Sequence, residues 1–183
     1  ACHAPGAFFN EGNTKKYIGD CSYSVASTFS FHAIKHLTMG EGGCITTNNK
    51  KLFKSIMAKR NHGMLRNVDD LKYNPEKIAP WYYEMHDLGW NYRADELSCA
   101  LGISQLKRLN KNIIKRQKLV KLYNNFLKSN EYITLPELST NKYYNVWHLY
   151  SLLIDFDKAG ITRGKLMSSL QKDGIGTQVH YIP

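Results

Sequence analysis

The chain has 183 residues, 43% of them apolar and 22% charged, which excludes a mainly disordered chain. No apolar run approaches the roughly 20 residues of a membrane-spanning helix, and no N-terminal stretch reads as a signal peptide, so no membrane partner is expected. The formal net charge of +10 invites a nucleic-acid reading, which the distribution of the cations must decide.

Taken in chain order, residues 23 to 31 (YSVASTFSF) have the β-branched and aromatic composition of a buried strand, and GCITT at 43 to 47 predicts a second. Between them runs FHAIKHLTMGEGG, too rich in glycine at its end to stay regular. NKKLFKSIMAKR, from Asn49, has Leu52, Phe53 and Ile56 at helical spacing and predicts a helix that stops near Gly63. Residues 64 to 92 hold Pro75, Pro80, the WYY run and Gly89 and read as a long ordered loop, a kind of segment that often carries function.

A helix is expected from about Arg93 to Leu109, with Leu97, Ala100, Leu101 and Ser104 on one face and Asp95 and Glu96 at its N-terminal end. A second follows from about Asn112 to Lys128, with Leu119, Leu122, Tyr123 and Phe126 as its buried stripe. Eight cations and no acid lie between Lys107 and Lys128, mostly off that stripe. A packed helix with a solvated cationic face accounts for them, and no nucleic-acid partner is expected. Residues 130 to 146, polar and broken by Pro136, predict a linker between domains spanning 1–129 and 147–183. Beyond it WHLYSLLI reads as a strand, TRGKLMSSLQKDG as a helix closed by Gly174, and IGTQVHYI as another strand, the start of a small α+β domain. The four cysteines include no C-x-x-C pair, so no metal site is expected, and a reducing cytoplasm is the expected location.

Lys35 falls just past the first predicted strand, in a turn that continues into Gly40, Glu41, Gly42 and Gly43. A lysine desolvated there favours its neutral amine, the form that makes a Schiff base, and Ser30 and His32 add a hydroxyl and an imidazole nearby. Taken alone, Lys35 reads equally as a surface lysine beside a turn.

SFHAIKHLTMGEGGCITTN resembles the Schiff-base motif of the DegT–DnrJ sugar aminotransferases, fold-type-I α/β enzymes that use pyridoxal 5'-phosphate. CHAPGAF, RNHGM, LGWNYRADELSCALGISQLKRL, WHLY and GIGTQVHYIP extend the resemblance along nearly the whole chain. Within the family it is most similar to the subgroup that aminates UDP-4-keto-6-deoxy hexosamines for pseudaminic acid and related sugars. The resemblance implies that Lys35 carries the cofactor, that Ser30 binds its phosphate, and that His3 lies near its ring face. It also implies that Asn91 reaches across a homodimer interface to the partner's phosphate. Arg93 either helps there or serves as a capping or ion-pairing residue. His180 and Tyr181 match a segment near the nucleotide-sugar pocket, and Glu41 orients the glycine turn.

The implied activity is transamination from an amino-acid donor, glutamate in the family's usual case, to a nucleotide-linked 4-keto-6-deoxy sugar, for amino-sugar and surface-glycan biosynthesis. In the family an aspartate that pairs with the pyridine nitrogen stands directly before the residue matching Ala1, and the phosphate-cradling turn lies further upstream. The chain is therefore expected to be an internal piece, the second half of the cofactor domain plus the start of the small one, inactive by itself. The alternative is a non-catalytic or truncated relative that keeps the fold for binding or assembly.

Overall fold

The computed structural model describes residues 1–73 and 79–181. The chain opens with a hairpin that the sequence reading passed over, β1 (Phe8–Glu11) and β2 (Thr14–Tyr17). Glu11 pairs with Thr14, so Gly12-Asn13 is a two-residue loop, and Gly12 takes the positive φ of 58° that such a turn favours. Lys15, read from the sequence as part of a polar loop, instead lies on β2 with its ammonium 4.7 Å from the centre of the Phe8 ring.

The next pair is β3 (Ser27–Ser30) and β4 (Gly43–Thr46), with Ser27 opposite Thr46 and Ser30 opposite Gly43. The strand expected from residue 23 begins only at Ser27, because Tyr23 and Val25 are exposed in a bend rather than buried. The connection from 31 to 42 is closed on itself. Phe31 N–H donates to the Gly42 carbonyl at 2.8 Å, Met39 N–H to the Phe31 carbonyl at 2.9 Å, and Lys35 N–H to the His32 carbonyl at 2.9 Å. A Cβ at Gly43 would stand 2.5 Å from the Phe29 carbonyl oxygen, so the strands close this tightly only because residue 43 is glycine.

Helix α1 (Lys50–Arg60) matches its expectation and is capped by the Asn49 side chain, which accepts from Leu52 N–H at 3.0 Å. After it come β5 (Met64–Leu65) and β6 (Glu84–Met85), which pair with each other, and a 3₁₀ turn at Val68–Asp70. The expected long loop is thus tied down inside; Pro75, which it includes, lies outside the described residues. Its anchor is Glu84, a buried carboxylate that accepts from the backbone N–H groups of Lys72 (2.7 Å) and Tyr73 (2.9 Å), from the Tyr82 hydroxyl (3.0 Å) and from the His86 ring.

Downstream of Glu84, the chain crosses the end of α1 at a backbone-to-backbone approach. A Cβ at Gly89 would lie 2.3 Å from the Gly63 nitrogen and 2.8 Å from the Lys59 carbonyl oxygen. Gly89→Ala must therefore push residues 86–91 off α1. We expect a fall in melting temperature of several degrees, about 2–4 °C for each kcal/mol lost in a chain of this size, readable by circular dichroism.

The two helices expected at 93–109 and 112–128 are one helix, α2 (Glu96–Leu127). No glycine or proline stands at the supposed break, so nothing interrupts the ladder there. Asp95 caps it, accepting from Ser98 N–H at 2.8 Å. Its buried residues are Leu109, Ile113 and Val120, whereas Leu119, Leu122, Tyr123 and Phe126 are all at least half exposed. Leu97, on the face expected from the first helical stretch, is 85% exposed.

Residues 130 to 146 carry β7 (Ile133–Thr134) and β8 (Tyr143–Tyr144). β8 returns to pair with β1, giving a sheet in the order β2-β1-β8, and β7 pairs with β9 (Leu153–Ile154). The segment expected as a linker thus contributes to two sheets. Every described pairing is antiparallel. The core forms where the β1–β8 sheet meets α2, from Ala7, Leu109, Ile113 and Val146, with Ala4, Ile18 and Tyr144 packed around it. Two short helices follow, α3 (Phe156–Ala159) and α4 (Arg163–Lys172); α4 agrees with its expected helix, opened by Thr162 and ended beside Gly174 at φ 78°. The strand expected over 147–154 is reduced to β9, because residues 145–150 turn to pack on α2 instead. No strand forms over the described part of IGTQVHYI, which lies exposed without a neighbouring strand to pair with.

Candidate active site

The closed 31–42 connection holds Lys35 by burying its flanks. His36, Leu37 and Met39 point inward and are all under 9% exposed, while Lys35, on the outer side of the same turn, is half-buried. Its ammonium nitrogen lies 3.2 Å from Nε2 of His3, which the chain start brings alongside. Burial, followed by the charges of Lys35 and His180, holds the His3 imidazole below its ordinary value, so the ring tends to be neutral and able to accept from Lys35.

Ser30 ends β3 at the root of the same connection, and its hydroxyl accepts from His32 N–H at 3.4 Å. The His32 ring reaches the exposed Glu41 carboxylate at 3.5 Å, a weak surface contact that links the two sides of the glycine turn. His180 lies near His3, with ring centres 6.3 Å apart, and Tyr181 packs on His180 at 4.9 Å. Among the expected residues, Lys35, His3, His180 and Tyr181 thus form one contiguous group, with Ser30 on the strand that feeds it.

Asn91 is placed by other contacts. It is exposed and forms an antiparallel bridge with Asn61 at the end of α1. Arg93 donates to the Asn61 side-chain oxygen at 2.5 Å. A cavity of about 630 Å³ lies between α1 and residues 63–72, lined by none of the expected site residues. Two of its cations, Lys54 and Lys59, are already paired with Asp70 and Asp87.

The sequence reading did not single out two further imidazoles. His148 packs its ring on His3 with centres 4.1 Å apart, and His36 lies against His148 at 5.3 Å. His36 is 7% exposed, and neither of its ring nitrogens has a partner among the described residues; His148 Nδ1 is likewise buried without one. Burial, reinforced for His36 by Arg116 and His148 and for His148 by His3 and Lys35, pushes both imidazoles down to about 4. Leaving such a group unpaired costs about 1–3 kcal/mol, which an apolar side chain would avoid. The available signal was numerical: four of the seven histidines converge here, from positions far apart in sequence.

The turn that carries His148 is locked to α2. Arg116 donates to the carbonyls of Trp147 (3.0 Å) and His148 (3.2 Å), and the Trp147 indole N–H donates to the Gln117 side chain at 3.3 Å. Trp147 itself is buried at φ 58°, a conformation that costs a bulky residue energy and persists because these bonds over-determine it.

An amine beside a neutral imidazole, with a strand-end hydroxyl close in sequence and buried unpaired ring nitrogens behind, is a donor set that fits an aldehyde-bearing, phosphorylated aromatic cofactor. Among the described residues no group of His, Cys, Asp and Glu has the arrangement of a metal site.

Residues 1–183 match the DegT/DnrJ/EryC1/StrS aminotransferase family. Over 183 residues the chain is 36% identical to the UDP-4-amino-4,6-dideoxy-N-acetyl-beta-L-altrosamine transaminase of Campylobacter jejuni, spanning 44% of that protein. It is 37% identical over 182 residues to the Helicobacter pylori transaminase of the same name, spanning 43% of it. The solved structure of Helicobacter pylori PseC, an aminotransferase involved in the biosynthesis of pseudoaminic acid, covers 100% of the chain with a TM-score of 0.79 at 34% identity. The chain corresponds to 44% of that structure, and so spans less than half the length of these relatives.

Proposed function

The chain belongs to the DegT/DnrJ/EryC1/StrS aminotransferase family, and on that premise we propose that it is part of a pyridoxal-phosphate-dependent sugar aminotransferase. The fold is that of the fold-type-I transferases, of which these residues make a partial α/β unit. The proposed reaction moves an amino group from an amino acid, glutamate, to the 4-keto position of a UDP-linked 6-deoxy hexosamine, in the biosynthesis of glycans. The activities for which the relatives are named and the Lys35 motif support that choice of substrate. Location in the cytoplasm and the division into a cofactor-domain part (1–129), a connection (130–146) and the start of a small domain (147–183) belong to the same proposal. Among the described residues no helix is long and apolar enough to cross a membrane.

The observation that carries the reading is the Lys35 amine held 3.2 Å from the His3 ring on a glycine-closed turn. Lys35 and His3 would hold the cofactor's reactive end and ring, and Ser30 its phosphate. When bound, pyridoxal phosphate supplies an electron sink for the charge left when the donor's α-carbon loses a proton. Lys35, a primary amine on a fixed turn, takes that proton and returns it to the other side of the transfer. The neutral His3 ring accepts from Lys35 and would hold Nζ in one orientation beside the bound cofactor. On the same reading His180 and Tyr181, on an exposed segment beside His3, are assigned to the nucleotide-sugar pocket. The direct test is to incubate the full-length protein with glutamate and a UDP-linked 4-keto-6-deoxy hexosamine. We expect amino sugar and 2-oxoglutarate in equal amounts; release of neither, with any amino-acid donor, overturns the proposal.

The working unit under this proposal is a homodimer with shared sites. Asn91 supports it, being exposed on a braced loop flanked by Trp90 and Tyr92, themselves exposed by 53% and 69%. In full-length heterodimers, Asn91→Ala paired with Lys35→Ala yields one site with both lesions and one with neither. Activity is expected to recover at one of the two sites of the heterodimer; no recovery on mixing refutes a role for Asn91 across the interface.

A further inference from the structure

The three imidazoles His3, His148 and His36 form a row running inward from the Lys35 amine, with successive ring centres 4.1 Å and 5.3 Å apart. Its inner end is fixed, because Arg116 holds the 147–148 backbone to α2 and His36 is buried by the Lys35 turn itself. Its outer member, His3, is exposed and has one ring face against His148. We propose that His148, backed by His36 and anchored by Arg116, is a positioning residue for Lys35: its ring fixes His3 so that Nε2 meets the lysine amine as a lone-pair acceptor. The proposal rests on the aminotransferase reading for its consequence in catalysis, though not for the geometry.

The physical argument is that an exposed imidazole has several rotamers, and only some of them put Nε2 within reach of Lys35, as at the observed 3.2 Å. Packing at a tilt of 39° against a ring whose backbone is anchored to α2 restricts the others and covers part of His3. Buried His36 and half-buried His148 behind it, with unpaired ring nitrogens, also keep the row from storing positive charge next to Lys35. The charged and titratable groups around the row are Lys35 and His180 at His3, Lys35, His180 and Arg116 at His148, and Arg116 at His36. All of these disfavour the imidazolium. His3 must be neutral to accept from Lys35, so activity should fall on acidification as His3 takes up a proton.

The test is the titration of His3, followed by nuclear magnetic resonance of ring-labelled histidine in full-length protein before cofactor is added. In the unaltered protein His3 is expected to titrate below 6.5. In His148→Ala it should move up toward that ordinary value. In His148→Phe, which keeps a ring against His3, it should stay low. In the holoenzyme the acid limb of the pH–rate profile should move up in His148→Ala and be restored in His148→Phe. Should His148→Ala not fold, His148→Asn, which also lacks a ring, is read in the same way. A His3 that titrates at or above 6.5 in the unaltered protein, or does not move when the ring at 148 is removed, overturns the proposal. Failure of borohydride to fix the cofactor on Lys35 would overturn the aminotransferase reading and leave the His3 titration to stand or fall separately.

Discussion

Lys35→Ala in the full-length protein is expected to lower transamination by at least about a thousandfold, because it removes both the cofactor's covalent anchor and the group that moves the proton. The protein should still fold. Lys35 is half-buried on the outer side of its turn, and its ammonium nitrogen touches the His3 ring, while the turn is held by backbone bonds and by His36, Leu37 and Met39. An unchanged melting curve with lost turnover therefore separates a chemical from a structural role. Borohydride reduction of the unaltered holoenzyme should fix a pyridoxyl group on the peptide containing Lys35. Lys15 is engaged on the Phe8 ring and Lys54 on Asp70, so neither offers a comparable amine. Label on either of them, or near-normal turnover in Lys35→Ala, refutes the mechanism. Partial recovery of Lys35→Ala by a small primary amine in solution would show that the lost function is the amine itself.

Glu84→Gln is expected to be the most damaging single change to stability away from Lys35, with a fall in melting temperature of roughly 5 °C or more. Burial alone would raise this carboxyl, but the Lys72 and Tyr73 N–H groups, the His86 ring and the Tyr82 hydroxyl outweigh it and hold Glu84 near 2. The folded value lies below the ordinary 4.5, so the stabilisation is complete above pH 4.5 and is lost as pH falls toward 2. In Glu84→Gln the dependence of melting temperature on pH across that window should flatten. An amide can accept on one oxygen only, so the Lys72 and Tyr73 amides should also exchange faster with solvent. Since β6 leads directly into the Gly89 crossing and Asn91, the substitution should weaken activity of the full-length protein as well as stability. A melting temperature and acid profile equal to those of the unaltered protein would show that the Glu84 cluster does not hold the loop.

Much of the local structure could be read in advance because it is set by neighbours in sequence. Asn49, Asp95 and Thr162 start helices by bonding backbone N–H groups three residues ahead, and Gly174 ends α4 at a positive φ. The Lys35 turn could be read for the same reason, since its closing bonds and its glycines lie within a dozen residues of each other. The β1–β2 hairpin was equally local, signalled by Gly12-Asn13 between aromatic-bearing runs, and was passed over.

Long-range packing decided the rest. The cationic part of α2 has apolar residues on more than one side, and periodicity alone selected the stripe through Leu119, Leu122, Tyr123 and Phe126. The sheet β2-β1-β8 packs elsewhere, on Leu109 and Ile113, because β8 returns across more than a hundred residues to pair with β1. The chain exposes 13839 Å², where a compact monomer of this size exposes about 9,000 Å², so apolar periodicity overstates how much of it is buried. The histidine row belongs to the same class. No spacing rule links positions 3, 36, 148 and 180; they meet because the chain start, the Lys35 turn, the Arg116-anchored bend and the exposed end converge. The turn that presents Lys35 was written in local sequence, whereas the surroundings that hold it were fixed only by burial of distant segments against one another.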